Sequence, residues 1–252
     1  MARIGFIGTG EITAAMVRGL QGQGHKILVS ARNANMAATL AAEVAEVSIA
    51  PNDQVVAGSD VVFLCLMAKV AETVLTGLPF RAGQTVISVM VDAHLAKLRA
   101  WCAPTTDISI TIPLPPIAQG GCPLPVYPAS PALEALFGAR NLVIPLQSET
   151  AINAHLAASA ICSPMLDQLL TAGQWLAGFT GDRDAAEAYV STMIRCYLPE
   201  RPASGELADA FCQLLGGHGV FVERPAELAL VEGLASFACR AGRQLAGQGA
   251  GV

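Results

Sequence analysis

The sequence predicts an α/β protein in which a doubly wound parallel sheet is followed by an all-α domain. In the first half of the 252-residue chain, short apolar or β-branched runs alternate with helical patterns, which is typical of parallel strands with helices on both faces. The run Val61–Met67 is continuously apolar, as expected of a central strand that is covered on both sides. After about Gln147 only helical periodicity remains, so we divide the chain into residues 1–148 and 149–252.

Apolar periodicity and turn residues set the boundaries of the individual elements. Besides Val61–Met67, the predicted strands are Arg3–Ile7, Lys26–Ser30, Val47–Ile49, Thr85–Val89, Asp107–Ile112 and Asn141–Leu146. The predicted helices of this half are Glu11–Leu20, Met36–Val44, Lys69–Leu75, Ala93–Trp101 and Ala132–Phe137. From Pro113 to Pro131, seven prolines stand within nineteen residues. Because proline lacks the backbone N–H donor, we expect neither a helix nor a central strand there.

The second half of the chain shows helical spacing of its apolar residues. A long helix is predicted from Thr150 to Phe179, with a kink at Pro164. Asp184, followed three residues later by Glu187, forms an acidic version of the capping box and opens the next helix. The last three predicted helices are Asp184–Tyr197, Ser204–Leu215 and Pro225–Leu245.

Charge and composition exclude several classes of partner. Lys and Arg number 15 and Asp and Glu 20, so the formal net charge of −5 removes the electrostatic basis for binding nucleic acid or an anionic membrane. The longest apolar run, Val61–Ala68, has eight residues, whereas a membrane-spanning helix needs about 20. Only 14% of the residues are charged and 53% are hydrophobic. We therefore expect part of the surface to be buried in a homo-oligomer.

The cysteines indicate a reducing environment. Seven of them are scattered along the chain, without a CxxC pair or a histidine at metal-ligand spacing. We expect reduced, buried and inert thiols and no metal site. The N-terminal residues Met1–Gly8 contain glycines where a signal peptide needs an apolar stretch. Together these features favour a cytoplasmic protein.

A glycine-rich turn near the start of the chain is the strongest functional motif. Gly8-Thr9-Gly10-Glu11-Ile12-Thr13 stands directly after a predicted strand and opens a predicted helix. Gly8 permits a tight turn, and Gly10 lets a diphosphate approach the N–H groups at the positive end of the helix. Thr13 takes the place of the third glycine of the dinucleotide-binding fingerprint. The motif predicts a Rossmann-type dinucleotide site formed by Gly8, Thr9, Gly10, Glu11 and Ile12.

The end of the second predicted strand indicates which dinucleotide binds. Proteins that bind NAD usually carry an Asp or Glu there to hold the ribose 2′-hydroxyl. This chain has Ser30-Ala31-Arg32-Asn33 instead. Ser30, Arg32 and Asn33 can all hydrogen-bond a 2′-phosphate, Arg32 with charge assistance. We therefore expect NADP(H) to be preferred over NAD(H); alternatively, Arg32 is an ordinary exposed cation at the start of a helix.

The loop after the strand Val61–Met67 should contact the nicotinamide half of the coenzyme. A dinucleotide crosses a doubly wound sheet at the point where the strand order reverses, which brings this loop to the far side of the glycine turn. The candidate contact residues are Leu66, Met67, Ala68 and Lys69. For Lys69 the alternative is a solvated lysine at a helix start.

Several segments resemble the Δ1-pyrroline-5-carboxylate reductase family. They are Ile4–Gly10, Arg18–Leu20, Ser59–Leu64, Val86–Ser88 and Leu95–Leu98. The order of a Rossmann domain followed by about a hundred helical residues is also similar to that family. The resemblance implies NAD(P)H-dependent reduction of a cyclic imine acid in amino-acid metabolism, with proline biosynthesis as the family role. It further implies a homodimer formed through interleaved C-terminal helices.

The chain departs from that family where the family binds its substrate. Met67-Ala68 stands in place of Lys-Pro, and Leu114 in place of the Asn that lines the nicotinamide pocket. Ala160–Pro164 aligns with a Ser-Gly-Ser-Gly-Pro segment, and Gln213–Gly219 with the segment that binds the substrate carboxylate. The cofactor half is therefore retained, whereas the substrate half is largely rewritten.

Two residues of the rewritten segments are candidate catalytic residues. His218 stands where the resemblance places substrate-binding residues, and we hypothesise that it anchors a carboxylate or donates a proton. The alternative is a helix-terminal histidine that bonds its own last carbonyls. Ser163, at the predicted kink, can hydrogen-bond a substrate. His155, on the long predicted helix, is expected to be a packed or exposed helix residue.

Three functions remain open at this point. The first is an NADPH-dependent imine reductase of the pyrroline-carboxylate type. The second is an NADP-linked oxidoreductase acting on a different imine or a keto acid, which His218 favours because ketone reduction needs a proton donor. The third is a non-catalytic NADP(H)-binding sensor, which the rewritten substrate half favours.

Overall fold

The computed structural model describes residues 1–90 and 93–198. The helices predicted after residue 198 and the candidate residue His218 lie outside the described residues. The chain divides into two compact units, of which the first is Met1–Pro164 and the second begins at Met165. No helix of the described part is long and apolar enough to cross a membrane.

The first unit contains an eight-stranded sheet in the order β3-β2-β1-β4-β5-β6-β7-β8. Its strands are β1 (Arg3–Ile7), β2 (Lys26–Ser30), β3 (Val47–Ala50), β4 (Val61–Leu64), β5 (Thr85–Ser88), β6 (Asp107–Thr111), β7 (Pro123–Tyr127) and β8 (Leu142–Pro145). The first six strands are parallel to one another, and Ile4 of β1 pairs with Ile27 of β2 on one side and Val61 of β4 on the other. The strand order therefore reverses between β1 and β4, which is where a doubly wound sheet opens a crevice for a ligand.

Nine helices surround or follow the sheet in the described part of the chain. They are α1 (Glu11–Leu20), α2 (Ala34–Glu43), α3 (Asn52–Gly58), α4 (Ala68–Leu75), α5 (Leu95–Trp101), α6 (Pro131–Phe137), α7 (Glu149–Ser159), α8 (Cys162–Thr180) and α9 (Arg183–Tyr197). A 3₁₀ turn covers Pro115–Ala118. These elements confirm the predicted Rossmann-type sheet followed by a helical region. The short helix α3 was not among the predicted elements.

The core lies on both faces of the sheet, because successive side chains of a strand point to opposite faces. On one face Phe6 of β1 stacks on Phe63 of β4 with ring centroids 4.9 Å apart, and Phe137 of α6 meets Phe63 edge-on at 6.1 Å. On the other face the neighbouring residues Ile7 and Leu64 belong to a second apolar cluster. Burial on two faces explains the uninterrupted apolar run of the central strand.

The prediction that no central strand runs through the proline-rich segment is wrong, because β7 lies between β6 and β8 in the sheet. β7 is antiparallel to β6 and parallel to β8, although it contains Pro123 and Pro125. Residues two apart in a strand direct their backbone N–H and C=O groups to the same edge. The N–H groups that Pro123 and Pro125 lack are therefore missing from only one edge of β7. That side faces β6, which pairs only with the last two residues of β7, Val126 and Tyr127. The missing N–H groups therefore interrupt no ladder.

The prediction of one long, kinked helix from Thr150 to Phe179 is also wrong, because the chain forms two separate helices there. α7 ends at Ser159 and α8 begins at Cys162, which places Pro164 in the first turn of α8. A proline there sacrifices no intrahelical bond, whereas in one continuous helix it would clash with the carbonyl four residues earlier. Likewise α9 is capped by Asp182, whose carboxylate accepts from the Ala185 N–H at 3.0 Å, and not by Asp184.

The first compact unit extends beyond the division at 148 that the helical pattern suggested. α7 packs on β7, and Ile152 and Leu156 of α7 join the apolar cluster of the sheet. Periodicity identified α7 as a helix but not the sheet as the surface on which it packs. The boundary after Pro164 lies within the first turn of α8, just after the break between α7 and α8.

Candidate active site

The glycine turn between β1 and α1 adopts a conformation that only glycine accepts without strain. Gly8 has φ +97°, in the left-handed region. A Cβ atom there would stand 2.3 Å from the carbonyl oxygen of Cys65, which is backbone and cannot move aside. The turn thus lies directly against the segment that follows β4.

Gly10 leaves space over the start of α1. A Cβ atom at Gly10 would meet no protein atom within 4 Å, and Gly10 caps α1 without any side-chain hydrogen bond. The first intrahelical bond of α1 runs from the Ala14 N–H to the Gly10 carbonyl at 2.9 Å. The N–H groups of Glu11 and Ile12 therefore precede the helical ladder and point towards this space. Such a helix start binds anionic groups.

Three buried hydroxyl groups fix the shape of the turn. The Gly8 N–H donates to Ser30 Oγ at 2.8 Å, and Thr9 Oγ1 donates to the Ser30 carbonyl at 2.6 Å. Thr13 Oγ1 donates to the Gly8 carbonyl at 2.6 Å. Thr13, which replaces the third glycine of the fingerprint, therefore clamps the turn. Ser30 is 1% exposed and is not among the residues that line the cavity over the turn, so it supports the turn from beneath, and its predicted contact with a 2′-phosphate stays a prediction.

A cavity of about 430 Å³ lies over the turn. Its lining residues are Gly8, Thr9, Gly10, Arg32, Asn33, Cys65, Leu66 and Met67. Asn33 caps α2 by accepting from the Met36 N–H at 3.3 Å, which leaves its amide N–H groups for another acceptor. The four ion pairs found in the described residues do not include Arg32. A guanidinium and an amide donor therefore face the cavity at the β2 end.

The other end of this cavity is formed where β4 stops earlier than predicted. β4 ends at Leu64, so Leu66 and Met67 belong to the loop that lines the cavity, and Met67 is 58% exposed. Ala68 and Lys69 form the first turn of α4 and are not among its lining residues. Of the predicted coenzyme contacts, the structure thus brings Gly8, Thr9, Gly10, Arg32, Asn33, Leu66 and Met67 together around one space.

Burial disfavours the thiolate form of the cysteine beside the turn. Burial raises the pKa of the Cys65 thiol to about 12, against the weaker opposing effect of a hydrogen bond with the Thr13 side chain. Burial likewise raises the pKa of the Cys102 thiol to about 12. The expectation of buried thiols is confirmed for Cys102 and Cys122 and is wrong for Cys162 and Cys196, which are exposed.

A second, smaller cavity of about 210 Å³ lies beyond the end of β6, in the same unit. We call it the β6–α7 cavity, and it is lined by Ile112, Leu114, Pro123, Pro125, Ile144, His155, Ala158, Ser159, Ile161 and Cys162. Among these residues His155 carries the only side-chain nitrogen atoms. Its Nδ1 lies 2.8 Å from the Ala151 carbonyl oxygen. A carbonyl only accepts hydrogen bonds, so Nδ1 carries a proton, and Nε2 is an acceptor when the ring is neutral.

The predicted catalytic residues are not assembled in the described part. Ser163 is exposed next to the β6–α7 cavity but does not line it, and His218 lies outside the described residues. His155, which the sequence suggested was only a helix residue, does line this cavity.

A separate pair joins His94 Nδ1 and Glu149 Oε1 at 2.9 Å, and the same carboxylate oxygen accepts from the Leu95 N–H at 3.1 Å. That pair attaches the start of α5 to the start of α7. No sequence motif indicated that His155 lines this cavity or that His94 pairs with Glu149.

A family model matches the first part of the sheet. Residues 3–92 match the family described as "NADP oxidoreductase coenzyme F420-dependent". This segment contains the glycine turn, Arg32 and the loop after β4. No curated protein matches the chain in sequence at a significant level.

Solved structures with the same fold extend over nearly the whole chain. The 1-pyrroline-5-carboxylate reductase of Streptococcus pyogenes is 19% identical with a TM-score of 0.68, and the match covers 97% of this chain and 95% of that one. The pyrroline carboxylate reductase of Plasmodium falciparum, with NADP bound, is 15% identical with a TM-score of 0.66 and coverages of 97% and 92%. An imine reductase of Streptomyces aurantiacus is 18% identical with a TM-score of 0.58 and coverages of 86% and 79%. These similarities establish the fold that the sequence resemblance implied.

Proposed function

We propose that the protein is an NADPH-dependent reductase of the C=N bond of a small cyclic imine. The observation that carries this proposal is the cavity over the glycine turn, where free helix N–H groups lie between a guanidinium and an apolar loop. A coenzyme with a diphosphate in its middle, a phosphate at one end and an apolar ring at the other matches that order of groups.

Each part of the cavity has a defined role in holding the coenzyme. The N–H groups of Gly10, Glu11 and Ile12 would hold the diphosphate, because Gly10 leaves their approach open. Arg32 and the amide of Asn33 would hold the 2′-phosphate at the β2 end. Leu66 and Met67 would pack against the nicotinamide riboside at the β4 end. When bound, the reduced coenzyme supplies the hydride.

The structural neighbours support a C=N bond as the site of reduction. They include pyrroline-carboxylate reductases, imine reductases, and a reductive aminase of Aspergillus terreus in complex with NADPH. The resemblance seen in the sequence implies a carboxylated imine such as 1-pyrroline-5-carboxylate, as in proline biosynthesis. The family matched by residues 3–92 suggests a deazaflavin partner as the alternative.

We also propose that the protein is a cytoplasmic homodimer assembled through its C-terminal helices. α8 carries large apolar side chains that are exposed in the single chain, among them Leu166 at 60% and Phe179 at 69%. Contiguous apolar surface of this kind marks a protein interface. Three free cysteines whose pKa is raised by burial are consistent with a reducing compartment.

A coenzyme oxidation assay tests the proposed activity. NADPH is mixed with the purified protein and a panel of cyclic imines, and the loss of absorbance at the reduced nicotinamide band is followed. Imine-dependent oxidation, with deuterium from labelled NADPH found on the amine carbon, is the expected result. NADPH binding without any transfer would favour the sensor function, and absence of NADPH binding would refute both.

A further inference from the structure

We infer that the side chain of Glu11 limits the affinity of the coenzyme site, because its carboxylate competes with the diphosphate for the positive start of α1. The residue then has two opposite effects. Its backbone N–H contributes to binding the diphosphate, whereas its side chain favours release. This inference rests on the proposed function and concerns how readily that same site releases the coenzyme.

The position of Glu11 brings its charge to the diphosphate end of the helix. Glu11 is the first residue of α1 and the acidic residue of its first turn, and it is exposed. The Cα–Cβ bond of a helical residue is tilted towards the N-terminal end of the helix. A Cβ atom at the preceding residue, Gly10, would meet no protein atom within 4 Å. The carboxylate and the space for the diphosphate therefore lie at the same end of α1.

The cation of the coenzyme cavity does not neutralise this carboxylate. Arg32 lines the cavity over the turn, but the ion pairs of the described residues do not join it to Glu11. Gly10 caps α1 without a side-chain hydrogen bond. In the protein without coenzyme, the carboxylate of Glu11 is thus the anion that the sequence itself provides for the helix start.

The carboxylate affects folding and binding with opposite signs. A negative side chain in the first turn stabilises a helix through the positive helix end, and this effect falls off within that turn. A bound diphosphate interacts with the same N–H groups and adds two negative charges beside the carboxylate. For charges about 7 to 10 Å apart at an exposed site, the repulsion lowers the affinity by about three- to tenfold at low ionic strength.

A weaker hold on the diphosphate suits a coenzyme that must be exchanged. After each hydride transfer the oxidised coenzyme has to leave before the reduced form can bind, and release steps limit kcat in many enzymes. The repulsion acts on the diphosphate, which both forms share. Glu11 therefore speeds the exchange of one form for the other without selecting between them.

A matched pair of variants tests this role. Glu11→Gln removes the charge and keeps the shape of the side chain. Asp53→Asn is the control, because Asp53 is also an exposed acid in the first turn of a helix, α3, and its loss changes the net charge equally. α3 follows β3, which is two strand spacings from β1, or about 10 Å. In titration calorimetry Glu11→Gln should bind NADPH about three- to tenfold more tightly than the wild type, and Asp53→Asn should stay within about twofold.

Thermal unfolding separates this role from a purely structural one. Without coenzyme, Glu11→Gln should lower Tm by about 1 to 3 °C, because the favourable interaction with the helix end is lost. The rise in Tm on adding saturating NADPH should be larger in Glu11→Gln than in the wild type. A lower Tm with an unchanged rise would show that Glu11 only stabilises α1, which overturns the inference.

Two further measurements identify the diphosphate as the group that is repelled. Adenosine 2′-monophosphate carries the 2′-phosphate but no diphosphate, so its affinity as a competitor of NADPH should differ by less than about twofold between Glu11→Gln and the wild type. In 1 M NaCl, where the Debye length is about 3 Å, the gain for NADPH should also fall below about twofold. An equal gain for both ligands, or a gain that persists in salt, would contradict a repulsion of the diphosphate.

The outcomes distinguish this inference from the proposed function. NADPH binding by Glu11→Gln that is equal to or weaker than binding by the wild type would overturn the inference and leave the proposed function intact. Absence of NADPH binding in the wild type and in both variants would overturn the proposed function itself.

Discussion

The two glycines of the β1–α1 turn should separate folding stability from coenzyme binding. Gly8 has φ +97° and stands against the Cys65 carbonyl, whereas Gly10 has φ −105° and no protein atom within reach of a Cβ. Replacing Gly8 with alanine therefore destabilises the folded protein, both by the steric contact and by the unfavourable backbone conformation. Replacing Gly10 with alanine only obstructs the space where the diphosphate would lie.

For Gly8→Ala the penalty falls on the folded state. A left-handed residue with a Cβ costs about 1 to 3 kcal/mol, and the contact of 2.3 Å with the Cys65 carbonyl adds a displacement of backbone. At about 2 to 4 °C per kcal/mol for a chain of this size, we expect Tm to fall by about 4 to 10 °C.

For Gly10→Ala the penalty falls on the complex. Alanine is a poorer helix cap than glycine, which lowers the free energy of unfolding, but it also restricts the unfolded chain, which raises it. Each effect is about a few tenths of a kcal/mol, so the two largely cancel. Tm should therefore stay within about 2 °C. Loss of one charged hydrogen bond to the diphosphate costs about 1.5 to 3 kcal/mol, which weakens NADPH binding about 10- to 150-fold.

Differential scanning fluorimetry and titration calorimetry with NADPH measure the two effects on the same samples. The wild-type protein and both variants are compared in the absence of coenzyme for Tm and in its presence for Kd. If Gly10→Ala binds NADPH as tightly as the wild type, the diphosphate does not lie over α1. If it lowers Tm as much as Gly8→Ala, the space above Gly10 is not open.

Three further predictions follow from the same site and its surroundings. Arg32→Ala should reduce the preference for NADPH over NADH at least tenfold in calorimetric Kd values, because the guanidinium is the cationic group beside the 2′-phosphate position; an unchanged preference would place the phosphate elsewhere. Ser30→Ala leaves the buried Gly8 N–H without its acceptor, so the free energy of unfolding measured in urea should fall by about 1 to 3 kcal/mol. An unchanged free energy of unfolding would show that water or a local relaxation replaces the lost hydrogen bond. The pKa values of Cys65 and Cys102 rise from 9.0 in the unfolded chain to about 12 in the folded protein, so above pH 9 the unfolded state loses protons that the folded state retains. Stability should therefore fall between pH 9 and 12, by about 1.4 kcal/mol per pH unit for each thiol, and Cys102→Ala should reduce this slope.

The parts of the fold that follow local rules were predictable from the sequence. β1, β2 and α1 match the predicted residues, because apolar periodicity and flanking glycines act within a few residues of each other. The break between α7 and α8 was not predictable in this way. Periodicity continues across it, and only the packing of α7 on β7 shows that α7 belongs to the first unit.

The coenzyme cavity was also predicted more completely than the second cavity. The glycine turn and Arg32 form a motif of fixed spacing, so they were found in order along the chain. Ser30 belonged to the same motif, but its burial and its bond to the Gly8 N–H depend on how β2 packs under the turn. The β6–α7 cavity is assembled from segments that are up to 50 residues apart, Ile112 to Cys162. No spacing rule joins those segments.

One contact connects the two cavities physically. Gly19 of α1 lies so close to the 3₁₀ turn that a Cβ there would be 2.8 Å from the Ile117 carbonyl oxygen. The Ile117 N–H in turn donates to the Leu114 carbonyl at 3.0 Å, and Leu114 lines the β6–α7 cavity. The helix proposed to receive the diphosphate at its start thus packs, near its end, on the turn that lines the second cavity. Because a glycine lets two backbones meet without an intervening side chain, a side chain at position 19 would separate α1 from this turn.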